Sequence, residues 1–334
     1  MLAWGFRHLP QARWQFLACI PLAEETPGRW RGLNLTWYGL LSANAQALAG
    51  AWFLLMASAL GVAWPAVAAL LAALCLCCLS GSRWLALLVE KKAHTFTVGG
   101  AAFLGLILAP GLFWLANQAL AAAGQPGAPL LGWCAALVIA YALGEGLGRL
   151  ACISFGCCYG KPLEDCPPWL GRLFSRASFV FRGEHKKIAY ASGLQDRRVL
   201  PVQALTAVIF VGAALAGTYL FLRGHFAASL LTAGLTTQIW RVISEFLRAD
   251  YRGGGRLSAY QWMALGTALW LGGLAWLLPT GLWAAPDLGR GLGALWAPGP
   301  LTLLQGMWLA AFIYYGRSRV TTSRVSFSVL RHLV

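Results

Sequence analysis

Long apolar stretches alternate with short polar connections along most of this chain. A helix needs ~20 predominantly apolar residues to cross a bilayer. The stretches that reach or approach this length are residues 37–60, 65–80, 97–121, 130–150, 201–222, 226–247, 259–279 and 299–316. The second is short and is also compatible with a re-entrant segment. The pattern predicts an all-α polytopic membrane protein with 7–8 transmembrane helices, in which residues 1–334 form a single integral membrane domain.

One polar connection is much longer than the others. Residues 152–200 are rich in proline, glycine and charge, with patterns of short strands at 178–182 and 186–191. A segment of this length is too small for an independent domain. We predict an extramembrane arm, or loop region, that lies over a cavity at headgroup level.

Composition excludes a soluble globular domain, because 59% of the residues are hydrophobic, only 11% are charged and the mean hydropathy is +0.63. A net charge of +15 would suggest nucleic acid as the partner of a soluble protein. Here the basic residues cluster between the spans and no nucleic-acid-binding motif accompanies them. The expected partner is therefore an anionic phospholipid surface, and no nucleic acid.

The distribution of charge predicts an orientation. One set of connections comprises the N-terminal segment, 81–96, 152–200, 248–257 and the tail after 316; the opposite set comprises 61–64, 122–129, 223–225 and 280–298. Of the 26 Lys and Arg residues, only Arg223 and Arg290 fall in the second set. The positive-inside rule then places the first set and both termini in the cytoplasm, in a bacterial inner membrane.

A cationic pocket is predicted at the end of the fourth stretch. Arg149 ends that stretch and opens the sequence GRLACISFGCCYGK, which runs from Gly148 to Lys161. A fixed positive charge at the boundary of water and lipid is costly unless it has a partner or a function. A turn spaced by Gly156 and Gly160, with Arg149 and Lys161 at its ends, suits the phosphate of a lipid.

A second polar group follows the sixth stretch. Arg241, Glu245 and Arg248 recur at i, i+4 and i+7, so on a helix they point one way. One interpretation is a salt-bridged helix end. The other is a second phosphate clamp, in which Glu245 holds Arg241 in orientation. Two arginines from separate helices would neutralise the leaving group and hold a phosphodiester in line for displacement.

Further candidate residues lie near the ends of spans. Tyr38 is either an interfacial anchor or a hydrogen-bond donor to the headgroup. Gly99 and Gly100 allow the close approach of a ligand or a helix. His94 is either a solvated loop residue or a catalytic base. Gln203 is a candidate buried hydrogen-bond donor to substrate.

Four cysteines follow Arg149 with the spacing C-x4-C-C-x7-C: Cys152, Cys157, Cys158 and Cys166. This spacing lacks the paired C-x2-C arms of common zinc sites, so no metal and no cofactor are predicted. A local disulfide is an alternative. Cys157 is also a candidate nucleophile, if neighbouring cations lower the pKa of its thiol; small packed cysteines are the simpler interpretation.

Six fragments in the same order resemble the bacterial prolipoprotein diacylglyceryl transferase family, across roughly residues 35–265. Each fragment alone is weak, and their common order is strong evidence of shared ancestry. The fragments are WYGL at 37–40, TVGG at 97–100, GRLACISFGCCYGK at 148–161, P-x-Q at 201–203, R-x3-E-F-x-R at 241–248 and L-S-x2-Q at 257–261.

The resemblance implies an activity and a set of residues. The family moves the diacylglyceryl group of phosphatidylglycerol onto a lipoprotein cysteine and releases glycerol phosphate. It implies that Arg149 and Arg241 bind the phosphate, that Tyr38 is essential and that Glu245 supports the site. It also implies a site that opens to the outer face of the inner membrane, opposite to the side that the charge distribution predicts.

This sequence departs from the family pattern at several positions. Val98 replaces the family's histidine, Cys152 and Phe155 replace two asparagines, Cys157 replaces a glutamate and Leu200 replaces the histidine before the proline. The phosphate-binding arginines are retained, while the groups expected to handle the acceptor have changed. This pattern indicates the same donor class with either a lipobox cysteine or a different lipid or small molecule as acceptor.

Two hypotheses follow. The first is a phospholipid-dependent transferase with lipoprotein biosynthesis as its setting. The second is a catalytically altered lipid-binding or lipid-translocating membrane protein on the same scaffold. Few ionisable residues lie within the spans apart from Glu145, which argues against ion-coupled transport. Glu145 lies one turn before Arg149 and either pairs with it or acts as a base.

Overall fold

The computed structural model describes residues 1–13, 15–26, 29–90, 98–250, 256–279 and 285–316. Within these ranges the chain forms twelve α-helices and four strands. In chain order they are α1 (Leu2–His8), β1 (Phe16–Thr26), β2 (Arg29–Thr36), α2 (Trp37–Ala59), α3 (Trp64–Glu90), α4 (Val98–Ala122), α5 (Leu130–Phe155), α6 (Pro168–Leu173), β3 (Phe179–Val180), α7 (Lys187–Ser192), β4 (Arg198–Val199), α8 (Val202–Leu222), α9 (Phe226–Phe246), α10 (Ala259–Leu277), α11 (Leu288–Leu295) and α12 (Pro298–Gly316).

Eight long helices correspond to the eight apolar stretches, which confirms the polytopic helical fold. Four of them, α2, α4, α5 and α8, are long and apolar enough to cross a membrane by length and composition. The stretch at 65–80 belongs to a continuous helix of 27 residues. The re-entrant interpretation of that stretch is therefore wrong.

The helix at the centre is α5, which packs against α2, α4, α8 and α9. Its closest approach is to α2, where Gly144 and Gly148 face Ala45 and Ala49. A Cβ atom on Gly144 would lie 2.7 Å from the Cβ atom of Ala49. Small residues four apart on both helices let the backbones approach, which is how helices associate when lipid removes the hydrophobic driving force.

The first half of α5 is anchored by aromatic packing. Trp133 is fully buried, and its ring stacks on Phe113 with centroids 5.2 Å apart. Phe53 of α2 completes the cluster, 6.0 Å from Trp133. The indole Nε1 of Trp133 donates to Asn117 Oδ1 at 3.2 Å, which satisfies its polar edge inside the apolar core.

The prediction for the arm is only partly right. α5 continues to Phe155, so the arm begins at Gly156, whose left-handed conformation (φ 68°, ψ 37°) ends the helix. β3 confirms the first predicted strand, and it pairs antiparallel with β4. The predicted strand at 186–191 is wrong: that segment is α7, which Gly193 ends in the same left-handed cap.

Two elements lie outside the sequence-based expectations. β1 and β2 form an antiparallel hairpin before α2, so the fold is not purely helical. α11 is a short helix in the 280–298 connection, capped by the Asp287 carboxylate, which accepts from Arg290 N. α12 then runs along α2, where Trp308 Nε1 donates to Asn44 Oδ1 at 2.7 Å and Tyr315 hydrogen-bonds to Gln46.

Candidate functional site

The second half of α5 places three polar residues on the face that meets α9. Tyr141, Glu145 and Arg149 are spaced by four residues and therefore line up on that face. The Glu145 side chain is 5% exposed and is hydrogen-bonded to Arg149 one turn later. This pairing confirms the interpretation of Glu145 as the partner of Arg149.

Arg241 of α9 reaches the same carboxylate from the opposite side. Its Nη1 atom donates to the two Glu145 oxygens at 3.2 and 3.0 Å and to Tyr141 Oη at 2.9 Å. One carboxylate thus bridges two buried arginines, which leaves this group with one excess positive charge. The sequence prediction brought Arg149 and Arg241 together correctly.

The orienting role predicted for Glu245 is wrong. Glu245 accepts from Arg248 Nη1 at 3.3 Å and from Ser258 Oγ at 3.4 Å, whereas Glu145 holds Arg241. Arg248 lies beyond the end of α9 and also donates to both oxygens of Asp250, at 2.7 and 2.6 Å. Burial lowers the pKa of the Arg248 guanidinium, but Cys158 and the Asp250 and Glu245 carboxylates outweigh burial and raise that pKa further above its usual range. Arg248 is thus held by two acids.

A small polar cleft lies between these groups and the start of the arm. We call it the arginine cleft; it is lined by Arg149, Cys158, Val202, Gln203, Thr206, Ser244 and Arg248. Two buried polar atoms here have no hydrogen-bond partner among the residues that the structure describes: Arg149 Nε and Gln203 Oε1. Gln203 Nε2 donates to Cys157 O at 2.9 Å, which fixes the amide so that its oxygen stays available. The cleft therefore offers one donor and one acceptor to a ligand.

The arm is joined to the end of α9 by backbone hydrogen bonds. Lys161 N donates to Leu247 O at 2.9 Å, and Ala249 N donates to Tyr159 O at 3.1 Å. A Cβ atom on Gly160 would lie 2.4 Å from Leu200 O. Gly160 thus permits close backbone packing, not a ligand contact as predicted.

Gly156 and Lys161 also differ from their predicted roles. Gly156 ends α5 and packs on Lys186, which a Cβ atom would approach to 3.0 Å. The Lys161 side chain is exposed and does not line the arginine cleft. Its position on the far side of the arm keeps its charge near Cys166. The predicted pairing of Lys161 with Arg149 in one pocket is wrong.

Lys186 is the buried lysine that sequence reasoning missed. Its Nζ atom donates to Leu9 O at 2.7 Å and to Ser154 O at 2.9 Å, so it ties α1 to the last turn of α5. Burial lowers the pKa of Lys186 to about 7. The neighbours of Lys186 in the sequence are polar, so nothing in the sequence of the arm predicts that this lysine is buried.

Gly99 and Gly100 begin α4 beside the site. A Cβ atom on Gly99 would lie 2.6 Å from Arg241 Nη2 and 2.9 Å from Tyr260 Cδ1. The predicted close approach therefore exists, but to the Arg241 side chain. Gly100 is buried in the same turn. His94 and its predicted catalytic role lie outside the described residues.

Tyr38 and the cysteines form the remaining side of the site. Tyr38 lies in the first turn of α2, with its ring edge-on to Phe155 at 5.7 Å and its hydroxyl within electrostatic range of Cys152, Cys157 and Cys158. The Sγ atoms of these three cysteines all lie within 4.8 Å of one another, and we call them the cysteine cluster. Tyr38 thus faces the cysteine cluster, and its predicted contact with substrate stays a prediction.

The condition for Cys157 as a nucleophile, a thiol pKa lowered by neighbouring cations, is not met. Hydrogen bonds with the Cys152 and Cys158 sulfurs, together with burial, raise the pKa of the Cys157 thiol well above its usual range. Cys166 is separate from the cluster and donates to Pro162 O at 3.2 Å. The structure joins none of the eight cysteines whose side chains it describes in a disulfide.

Comparison with known proteins identifies the scaffold. A family model described as prolipoprotein diacylglyceryl transferase matches residues 29–278, which run from the start of β2 to just beyond α10. No curated protein matches the chain. The match covers every residue of the arginine cleft and leaves α1, α11 and α12 outside it. The chain belongs to the prolipoprotein diacylglyceryl transferase family.

Proposed function

We propose that this protein transfers the diacylglyceryl group of phosphatidylglycerol to a thiol acceptor and releases glycerol phosphate, in the bacterial inner membrane. The observation that carries the proposal is the bridge of Glu145 between Arg149 and Arg241. It holds two guanidinium groups from separate helices in one place and leaves one positive charge in excess. The neighbouring group of Arg248 and the two acids that hold it carries the opposite excess. An anionic phosphodiester is therefore bound here by the guanidinium groups of Arg149 and Arg241 and by the free Arg149 Nε donor, not by net charge.

The donor is held by complementary hydrogen bonds. Arg149 Nε is a free donor for a phosphate oxygen, and Gln203 Oε1 is a free acceptor for a hydroxyl. Phosphatidylglycerol offers both groups, since its phosphate carries a glycerol with two hydroxyls. A headgroup without hydroxyls would leave the Gln203 oxygen buried and unpaired, which costs about 1–3 kcal/mol.

The arginines also favour the reaction. As the bond between the lipid's glycerol carbon and its phosphate oxygen breaks, negative charge grows on the phosphate. Preorganised cations stabilise that charge more than they stabilise the bound diester, and this difference accelerates the reaction. Because Glu145 and Tyr141 already fix Arg241, little reorganisation accompanies the reaction.

The experiment is a turnover assay in proteoliposomes. Purified protein would be supplied with phosphatidylglycerol labelled in both glycerol moieties and with a lipobox peptide as acceptor. We expect release of labelled glycerol phosphate, and a loss of about 10²–10³-fold with Arg149→Ala, the scale for losing one charge-stabilising donor. Arg223→Ala is the matched control, because Arg223 is exposed and rests on the Tyr219 ring away from the cleft.

Other outcomes would change the proposal in defined ways. Release only with a cell lysate as acceptor source would keep the donor and replace the acceptor. Lipid binding without release under either condition would favour the lipid-binding or lipid-translocating protein. Full activity in both Arg149→Ala and Arg241→Ala would contradict the proposed site.

A further inference from the structure

The cysteine cluster stands where an acceptor would meet the donor. Its three sulfurs all lie within 4.8 Å of one another, and Cys158 lines the arginine cleft together with Arg149 and Arg248. The phosphate-binding reaction proposed above uses none of these thiols. Three convergent thiols beside a cationic cleft therefore need their own explanation.

The backbone is folded back to bring these sulfurs together. Gly156 ends α5 in the left-handed conformation, and Cys157 N donates to Cys152 O at 3.0 Å. Cys158 follows with φ 56°, a left-handed conformation that is uncommon for a residue with a side chain. A left-handed backbone at a residue with a side chain is strained, and such strain concentrates at functional sites. The turn therefore maintains the cluster at an energetic cost.

The donor set suits one class of ligand. Thiolates are the ligands that Zn²⁺ prefers, at a Zn–S distance of about 2.3 Å, which in a tetrahedron separates the sulfurs by about 3.8 Å. The three sulfurs lie within 4.8 Å of one another here, so metal binding would draw them together by about 1 Å or less. Three protein ligands with an open fourth position are the arrangement of a catalytic zinc site, whereas structural sites are closed by four.

We propose that Cys152, Cys157 and Cys158 bind Zn²⁺ and that the open fourth position binds the acceptor thiol as a thiolate. The inference rests on the proposed transfer to a thiol, and it replaces the sequence-based expectation of no metal. The class of substrate it selects is a cysteine thiol, because a hydroxyl or an amine is a poorer ligand in a sulfur-rich zinc site.

The acids of the site explain why the acceptor uses a metal. Glu145 is engaged by both Arg149 and Arg241, while Glu245 and Asp250 are engaged by Arg248. A carboxylate whose oxygens already accept from guanidinium groups has less capacity left to accept a hydrogen bond from a thiol. Coordination deprotonates a thiol directly and needs no carboxylate base.

The cleft also places guanidinium groups beside the proposed metal site. Zn²⁺ with three thiolates carries one formal negative charge, and a fourth thiolate adds another. Arg149 and Arg248 line the cleft with Cys158, and because acids already engage both arginines they supply nearby N–H donors without a net positive charge. The bound thiolate would then lie next to the phosphodiester that Arg149 holds.

The transfer balances without a further reactant. The acceptor sulfur attacks the lipid's glycerol carbon that bears the phosphate, a C–S bond forms, and the C–O bond breaks with its electron pair on the phosphate oxygen. The proton released from the acceptor thiol ends on glycerol phosphate. No oxidant or reductant takes part.

Zinc content is the first test. Full-length protein purified in detergent under reducing conditions, loaded with Zn²⁺ and desalted, is expected to retain about one zinc per chain by mass spectrometry. Cys157→Ser should lose most of it, while Cys158→His, which offers another zinc ligand, should keep it. Cys166→Ser is the matched control, since Cys166 bonds to Pro162 O outside the cluster. Size-exclusion profiles would show that each variant is folded.

The second test asks what fills the fourth position. Co²⁺ in place of Zn²⁺ reports thiolate ligands by charge-transfer absorption, which should strengthen on addition of a lipobox peptide and stay unchanged with its Cys→Ser version. Zinc-free protein that turns over at the wild-type rate would overturn the metal inference and leave the transferase standing. Zinc that is bound in wild type and Cys157→Ser alike would also overturn it. Zinc and peptide binding without glycerol phosphate release would support the metal site and contradict the proposed transfer.

Discussion

The two halves of α5 perform opposite tasks on one helix. The first half buries Trp133 between Phe53 and Phe113, where aromatic packing is the main contact and one hydrogen bond to Asn117 satisfies the indole. The second half presents Glu145 and Arg149, whose geometry depends on a partner from another helix. The apolar half is held by many small contacts, while the polar half is held by a few strong ones. Changes in the first half should therefore reduce stability, and changes in the second should also abolish chemistry.

The largest effect is expected from Glu145→Ala. It leaves two buried guanidinium groups without their acid, which typically costs about 3–5 kcal/mol. It also releases Arg149 and Arg241 from their shared position, so turnover should fall beyond what the lost folded fraction explains. Chemical denaturation in detergent and glycerol phosphate release would measure the two effects. Unchanged stability would show that the arginines are solvated and not buried together.

Trp133→Ala should be nearly as destabilising, about 3–5 kcal/mol, because it empties the aromatic cluster. The activity of the remaining folded protein should be close to wild type, since Trp133 lies in the opposite half of α5. Trp276→Ala is the matched control, because that ring is 84% exposed. A selective loss of activity in Trp133→Ala would show that the two halves of α5 are coupled. It would contradict the division of α5 into a stabilising half and a catalytic half.

Gly99→Ala tests how finely Arg241 is positioned. The new methyl would lie 2.6 Å from Arg241 Nη2 and would displace it, and a misplacement near 1 Å costs on the order of 10²-fold in rate. Stability should fall as well, because the methyl would also lie 2.9 Å from Cδ1 of the buried Tyr260 ring, so the loss of rate is compared at equal folded fraction. Gly266→Ala, with nothing within 4 Å of its added methyl, should leave turnover unchanged. Equal rates in the two variants would mean that Arg241 has room to move.

Lys186 should make the stability of the folded protein depend on pH, an effect smaller than those above. Its pKa is about 7 in the folded protein against 10.5 in the unfolded chain. Between these values the unfolded chain binds more protons, so stability rises with pH, by up to about 1.4 kcal/mol per unit. Denaturation curves from pH 7 to 9 should show this slope in wild type and lose it in Lys186→Met. The same slope in both would assign the pH dependence to other groups.

The smallest effect is expected at the surface of the arm. Glu164 and Arg197 form an ion pair, and both side chains are about half exposed. Exposed pairs contribute about 0–1 kcal/mol, so Glu164→Ala should barely shift the denaturation midpoint. A loss comparable to that of Glu145→Ala would show that the arm contributes to stability as strongly as the helix core.

The sequence predicts the apolar half of the molecule well and the polar half in part. Hydropathy alone locates all eight long helices, because each must hide its backbone from lipid. Hydropathy predicts a length for α3 that is too short, because arginine and serine residues interrupt the apolar pattern without ending the helix. The hairpin of β1 and β2 and the short α11 escape prediction, because short elements depend on the surfaces that they cover.

The site shows the same division. Arg149 and Arg241 are recognisable as costly charges at the ends of spans, and the structure brings them together. Tyr141, Glu145 and Arg149 recur every four residues within an apolar helix, a signal that points to one polar face. Glu245 was paired with the wrong arginine, since helical spacing reveals neighbours on one helix but not an acid on another. The cysteine spacing hides the cluster, because the left-handed turn at Gly156 folds the chain back on itself.

The direction of α12 has a consequence for where the reaction takes place. α12 is antiparallel to α2, and Tyr315 at its end lies within electrostatic range of Tyr38 at the start of α2. The end of α12 therefore lies on the same side of the helices as the start of α2. A reporter enzyme fused after residue 316 would therefore share a compartment with the arginine cleft. Alkaline phosphatase activity from that fusion would place the cleft on the outer face, where exported lipoproteins can reach it. Fluorescence of a fused green fluorescent protein would place the cleft on the cytoplasmic face, where cytoplasmic thiols can reach it.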